Sequence, residues 1–152
     1  MRNWLLFFHV LGAAAWLGGS IYAEALLAGA ARTKDRRTVM RTVVRVIEAN
    51  GVVFTVAPFL TLVFGIWLVI HGRGVRGFQD FWITAGFLLT LAAIAIGVLF
   101  FNPSGRQLVA MVEERGMEDT ETVALADAIR NMGHVSTGII FVVFVLMIFK
   151  PG

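Results

Sequence analysis

Cysteine is absent from the chain, which excludes disulfides, Cys-ligated iron–sulfur clusters, c-type haem attachment and cysteine zinc sites. Charge is scarce: Asp, Glu, Lys and Arg make up 15% of the residues, against roughly 25% in an average soluble domain. Proline occurs only 3 times beside 16 glycines, so neither a collagen-like nor a Pro-rich disordered chain fits. No serine or cysteine nucleophile motif, phosphate loop or His-Glu metalloprotease pattern is found.

What the chain does have is apolar length. Of its 152 residues, 58% are hydrophobic. Four stretches carry no Asp, Glu, Lys or Arg: 4–22, 51–70, 81–101 and 133–149. Each approaches the roughly 20 residues that a helix needs to cross a bilayer. Backbone groups in hydrocarbon must be satisfied internally, which helices do within one segment. The expected fold is therefore all-α: an integral membrane four-helix bundle, one domain over residues 1–152, with spans at about 4–28, 52–70, 81–101 and 132–149. Residues Trp4, Trp82 and Lys150 fall at span ends, where interfacial anchors are expected. The first span is expected to be retained rather than cleaved as a signal peptide, because it is long and Trp16 and Glu24 follow the small residues Ala13–Ala15.

Between the spans, residues 33–49 place Arg37, Arg41 and Arg45 on one helical face and Val39, Val43, Val46 and Ile47 towards another. That pattern suggests an amphipathic helix lying in the headgroup layer, with a solvated extension of the second span as the alternative. Residues 104–131 hold six acids against three arginines and suggest two short amphipathic helices broken near Gly116, with Ser104 and Thr120 as N-caps. The two long loops together carry nine Lys and Arg, the other side four. By the positive-inside rule both loops face the cytoplasm and both termini lie outside, in a cytoplasmic (inner) membrane. The basic 32–45 segment would then meet anionic headgroups rather than nucleic acid.

The polar residues within the spans are the candidate functional groups. At 100° per residue, His9, Ala13, Trp16, Ser20 and Glu24 share a stripe about 80° wide, which should face the bundle interior. Beside it Ala15, Gly19 and Ala23 form a small-residue ridge suited to close helix packing, within the chain, in a homodimer or with another membrane subunit. His9 is the leading candidate, since a neutral imidazole binds haem iron, zinc or copper, or relays protons. The plain alternative is an interfacial histidine bonded to a carbonyl or water. Glu24 and His134 both fall near the inner face and are expected to pair. His71 ends the second span at a depth similar to His9, so a bis-histidine site would use His9 and His71 rather than His134.

The run His9-Val-Leu-Gly-Ala-Ala-Ala-Trp16-Leu-Gly18-Gly19 resembles the first helix of a group of four-helix membrane proteins. That group comprises the CopD-type copper-resistance domain, the HemJ-type protoporphyrinogen oxidases and an uncharacterised family of predicted integral membrane proteins. The last is the closest likeness. It extends through Pro58-Phe-Leu-Thr-Leu-Val-Phe-Gly65-Ile-Trp67, the Trp82-led third span and Leu146-Met-Ile-Phe-Lys150-Pro151. The HemJ resemblance implies haem b held by His9, with Trp16 beside it and Tyr22 matching a tyrosine of that pattern. Where the HemJ type carries a Pro-Arg pair, this chain has Glu24-Ala25. The CopD resemblance implies copper handling, but the six methionines are scattered and form no ladder. Three readings stand: a haem-binding membrane redox protein, a non-catalytic accessory or assembly subunit, and copper handling.

The charge asymmetry generates a test. Cysteine-accessibility labelling at Asn3 and in the 72–77 loop should report the outer side, and at Glu118 the inner; inner-side labelling of 72–77 would reverse the orientation.

Overall fold

Four apolar helices arrange as two hairpins in the computed structural model, which describes residues 2–71 and 77–150. The order is α1 (Arg2–Arg32), α2 (Arg36–His71), a 3-10 turn (Gly77–Gln79), α3 (Phe81–Ile96), a π turn (Gly97–Phe101), α4 (Asn102–Arg115) and α5 (Thr120–Phe149). No strand occurs among the described residues. The expected all-α fold with four potential spans is thus observed. Most of the outer loop expected at 71–77, and Pro151-Gly152 at the end of the last span, lie outside the described residues. Large apolar side chains such as Phe59, Leu88 and Phe141 point outward at 65%, 60% and 58% exposure. Only a hydrocarbon environment makes that arrangement favourable over so large a surface.

The helices run further than the hydrophobic stretches. The basic 33–49 stretch does not form a separate interfacial helix: α2 runs unbroken for 36 residues, through Pro58. At 1.5 Å per residue that is about 54 Å, far beyond a hydrocarbon core of about 30 Å. Its loop-side end therefore projects out of the membrane. The Asn102-Pro103 pair does not end the third span either. The π turn widens the helix there, Asn102 N–H bonds the Gly97 carbonyl, and Pro103 enters at the start of α4. The expected break at Gly116 is real, at φ 90°, a conformation that favours glycine. Beyond it the second short amphipathic helix and the fourth span are one helix, capped by Asp119, whose carboxylate accepts from Thr122 N–H, rather than by Thr120.

These extensions have a packing reason. Met40 and Val43 of α2, Leu108 of α4, and Ala126 and Ile129 of α5 bury one another in a second core on the loop side. Leu108 and Thr122 are wholly enclosed. Gly105 lets α4 approach α2 so closely that an added Cβ would stand 3.1 Å from Ile47 Cγ2. Val43 and Ile47 of this stretch thus face protein, leaving Arg36, Arg41 and Arg45 exposed. Arg37 pairs with Glu118 at 2.8 Å, and Arg115 with Glu121. The turn into α2 is closed by Asp35, which accepts from Thr38 Oγ1 and the Arg37 and Thr38 amides. Those bonds, the Thr38 hydroxyl first, hold its carboxyl below the usual range.

Truncating the centre of this loop-side core should be costly. Leu108→Ala is expected to destabilise it by about 2–5 kcal/mol, read as lost amide-exchange protection in α4 and the first turns of α5. Unchanged protection would show that the helical extensions do not depend on this core.

Candidate functional site

The site is built where α1 crosses α2. Gly12 permits the approach: an added Cβ would lie 2.9 Å from Thr61 Oγ1 and 3.0 Å from the Ala57 carbonyl. One turn towards the start of α1, the His9 ring reaches across, and its Nδ1 lies 2.8 Å from the Thr61 carbonyl oxygen. A carbonyl only accepts, so Nδ1 carries the proton and Nε2 the lone pair. Gly65 makes room, because a Cβ there would be 3.1 Å from His9 Cε1 and 3.2 Å from Nδ1. Phe8 stacks on Phe64 beside the crossing, centroids 5.1 Å apart. The hydroxyl of Thr61 donates within its own helix to Ala57, as Ser20 does to Trp16 and Thr90 to Gly86. Such back-bonding leaves those hydroxyls satisfied in an apolar setting.

The His9 ring lines a cavity of about 610 Å³ in the half of the bundle away from the long loops, between the two hairpins. Trp16, Ala93 and Ile140 lie at its deep end and pack together. Gly86, Trp82 and Met147 form the wall opposite α1 and α2. The volume is within the roughly 300–1,000 Å³ of small-molecule and cofactor sites, and the lining is almost wholly apolar.

A second polar cluster lies at the loop-side end of the bundle. Glu24 Oε2 is 2.7 Å from His134 Nδ1, as the shared depth implied. Oε1 receives Thr137 Oγ1 at 3.5 Å, and Gly133 leaves just enough space, since a Cβ there would come within 3.1 Å of Oε1. His134 is largely exposed and Glu24 largely enclosed; Oε2 meets no aligned hydrogen-bond donor among the described residues.

The predicted residues are therefore divided. The polar stripe of α1 does turn inward, with Trp16 and Ser20 buried, His9 on α2 and Glu24 on α5. Tyr22 is 59% exposed and is not part of the cavity wall. His71 is exposed at the end of α2, with Nδ1 3.2 Å from the Trp67 carbonyl of its own helix, and does not join His9 in the cavity. In the small-residue ridge, Gly19 sits against Val53 and Phe54 and Ala23 is buried, but Ala15 faces outward. The tightest approach of α1 to α2 uses Gly12 instead. Sequence reasoning also did not single out Thr61, whose contribution is a carbonyl that every residue possesses. Gly65 stood in the Pro58–Trp67 run that carries the family likeness, but with no role assigned to it.

Four long apolar helices with outward-facing hydrophobic side chains define an integral membrane protein. The chain belongs to the family described as predicted integral membrane protein DUF2269, whose model matches residues 3–151. No curated protein matches it, and no solved structure does.

Filling the space at Gly65 tests the His9 geometry. Gly65→Leu should push the ring off Thr61 and cost at least the ~0.6–1.7 kcal/mol of an interhelical membrane hydrogen bond. In nitrogen-labelled protein the Nδ1-protonated His9 signal should disappear. Its persistence would mean that another group holds the ring.

Proposed function

We propose that the cavity holds a haem b, with His9 Nε2 as an axial ligand, and that the protein serves membrane redox or electron transfer. The observation that carries this reading is the hydrogen bond from His9 Nδ1 to the Thr61 carbonyl. Ligating histidines characteristically donate the other ring nitrogen to a carbonyl or carboxylate, which fixes the tautomer and strengthens the ligand. A merely structural histidine has no need of a 610 Å³ apolar cavity beside it. The residues present fit the group: one oriented imidazole, aromatic walls at Trp16 and Trp82, and little polar surface to compete with a macrocycle. A bound haem supplies one-electron exchange at its iron. The chain supplies the oriented His9 ring and an apolar enclosure that keeps water from the iron. The likeness of the first helix to the HemJ type is part of this proposal; the CopD likeness and copper handling form its rival.

The same proposal places the protein in a cytoplasmic membrane with the Arg-rich end inside. Arg36, Arg41 and Arg45 remain exposed at the end of α2 and are placed for anionic headgroups.

An optical spectrum of protein purified after expression with haem supply tests the reading. The wild type should show a Soret band that moves on reduction. His9→Ala should abolish it, whereas His71→Ala and His134→Ala should keep it. A colourless wild type, or full haem in His9→Ala, would return the protein to the accessory-subunit reading.

A further inference from the structure

We infer that the cavity selects a ligand carrying a carboxylate on an apolar body, and that Arg2 and Lys150 hold the carboxylate at the mouth. Among the described residues, two charged ones line the cavity, and both are cations. They come from opposite ends of the chain, Arg2 opening α1 and Lys150 closing α5, and both line the cavity at the end of the bundle where α1 begins and α5 ends. No Asp or Glu is among the described lining residues. Lys150 is positioned rather than loose. Its backbone takes a left-handed φ of 45° and its N–H bonds the Leu146 carbonyl, closing the helix. Its ammonium lies 5.6 Å from the centroid of the Trp82 ring, which itself lines the cavity. Deeper in, Thr61 and Thr90 donate their hydroxyl protons to their own helices, and the His9 ring is a polar group there able to meet a ligand.

The arrangement is a polarised slot, apolar below and positive at the rim. An uncharged apolar molecule would gain nothing from the rim, and a cationic one would be repelled there. An anionic head with an apolar body satisfies both ends. Two sources offer that chemistry: the two propionates of a haem, or the head of a free fatty acid. For haem, the inference rests on the reading above and adds an orientation, with the carboxylates towards the outer surface and the opposite edge towards Trp16. For a fatty acid it stands without that reading.

The test compares each carboxylate with its neutralised form, in the full chain held in nanodiscs of zwitterionic lipid. Haem is set against its dimethyl ester by optical titration. A long-chain fatty acid is set against the matching primary alcohol by tryptophan fluorescence. Two rim ion pairs should make the wild type prefer the carboxylate form by about three- to thirty-fold. The double variant Arg2→Gln/Lys150→Gln should bind both forms alike, and Arg2→Lys/Lys150→Arg, which keeps both charges, should retain the preference. The Gln variant removes positive charge from the end opposite the Arg-rich loops, so the charge asymmetry that directs insertion stays. A preference in the haem pair assigns the rim to propionates. A preference in the fatty-acid pair alone, with no protein-dependent shift of the Soret band of either porphyrin, supports the rim while ending the haem reading. Equal binding of both forms in the wild type, no binding of any, or a preference surviving in the Gln variant would overturn the inference.

Discussion

The hydrogen bond between His9 and the Thr61 carbonyl requires two helices to approach until side chains have almost no room, and the rest of that half of the bundle follows from the requirement. Gly12 and Gly65 are the residues that grant it, one on each side of the crossing. In lipid there is no hydrophobic force pressing α1 onto α2, so the association rests on close packing and on polar contacts between helices. The crossing supplies both within a few residues. With α1 held against α2, its inward stripe carries Trp16 and Ser20 into the interior and delivers Glu24 to α5. The cavity then opens between this hairpin and the hairpin of α3 and α5, which are brought together at Gly86, where an added Cβ would meet Met147 Cε at 2.7 Å.

The two polar clusters at the two ends of α1 differ in kind. His9 donates to a main-chain carbonyl, a partner that carries no charge and cannot titrate. Glu24 and His134 form a pair of side chains at the edge of the loop-side polar region. The first arrangement suits a ring that must present one lone pair in one direction. The second suits a join between helices, and Thr137 and Gly133 on adjacent turns of α5 fit it to the carboxylate.

Much of this was legible in the chain. Charge-free stretches located the spans, since charge is what hydrocarbon excludes, and the 100° rotation per residue placed His9, Trp16, Ser20 and Glu24 on an inward face. Depth arithmetic paired Glu24 with His134. Helix ends were harder to read. Polarity marks where a membrane ends, not where a helix does, and Val43 and Leu108 gave the extensions a core of their own outside the bilayer. Proline misled for a local reason: a π turn absorbs Pro103, which on propensity alone terminates the span. Tyr22 and His71 carried expectations drawn from likeness and from depth. Neither depth nor motif reports rotation about a neighbouring helix, which turns Tyr22 outward and leaves His71 bonded to its own helix.

The unbroken course of α5 has a mechanical consequence. Ala126 sits in the loop-side core and Met147 in the cavity wall, on one helix with no break between them. The 21 residues separating them span about 32 Å, so a tilt of one degree about the loop-side core shifts the cavity wall by about 0.5 Å. The helix is a lever whose fulcrum lies in the loop-side core and whose working end lies opposite His9. The width of the cavity is therefore set partly by how tightly Leu108 and its neighbours pack, at a place no cavity ligand touches.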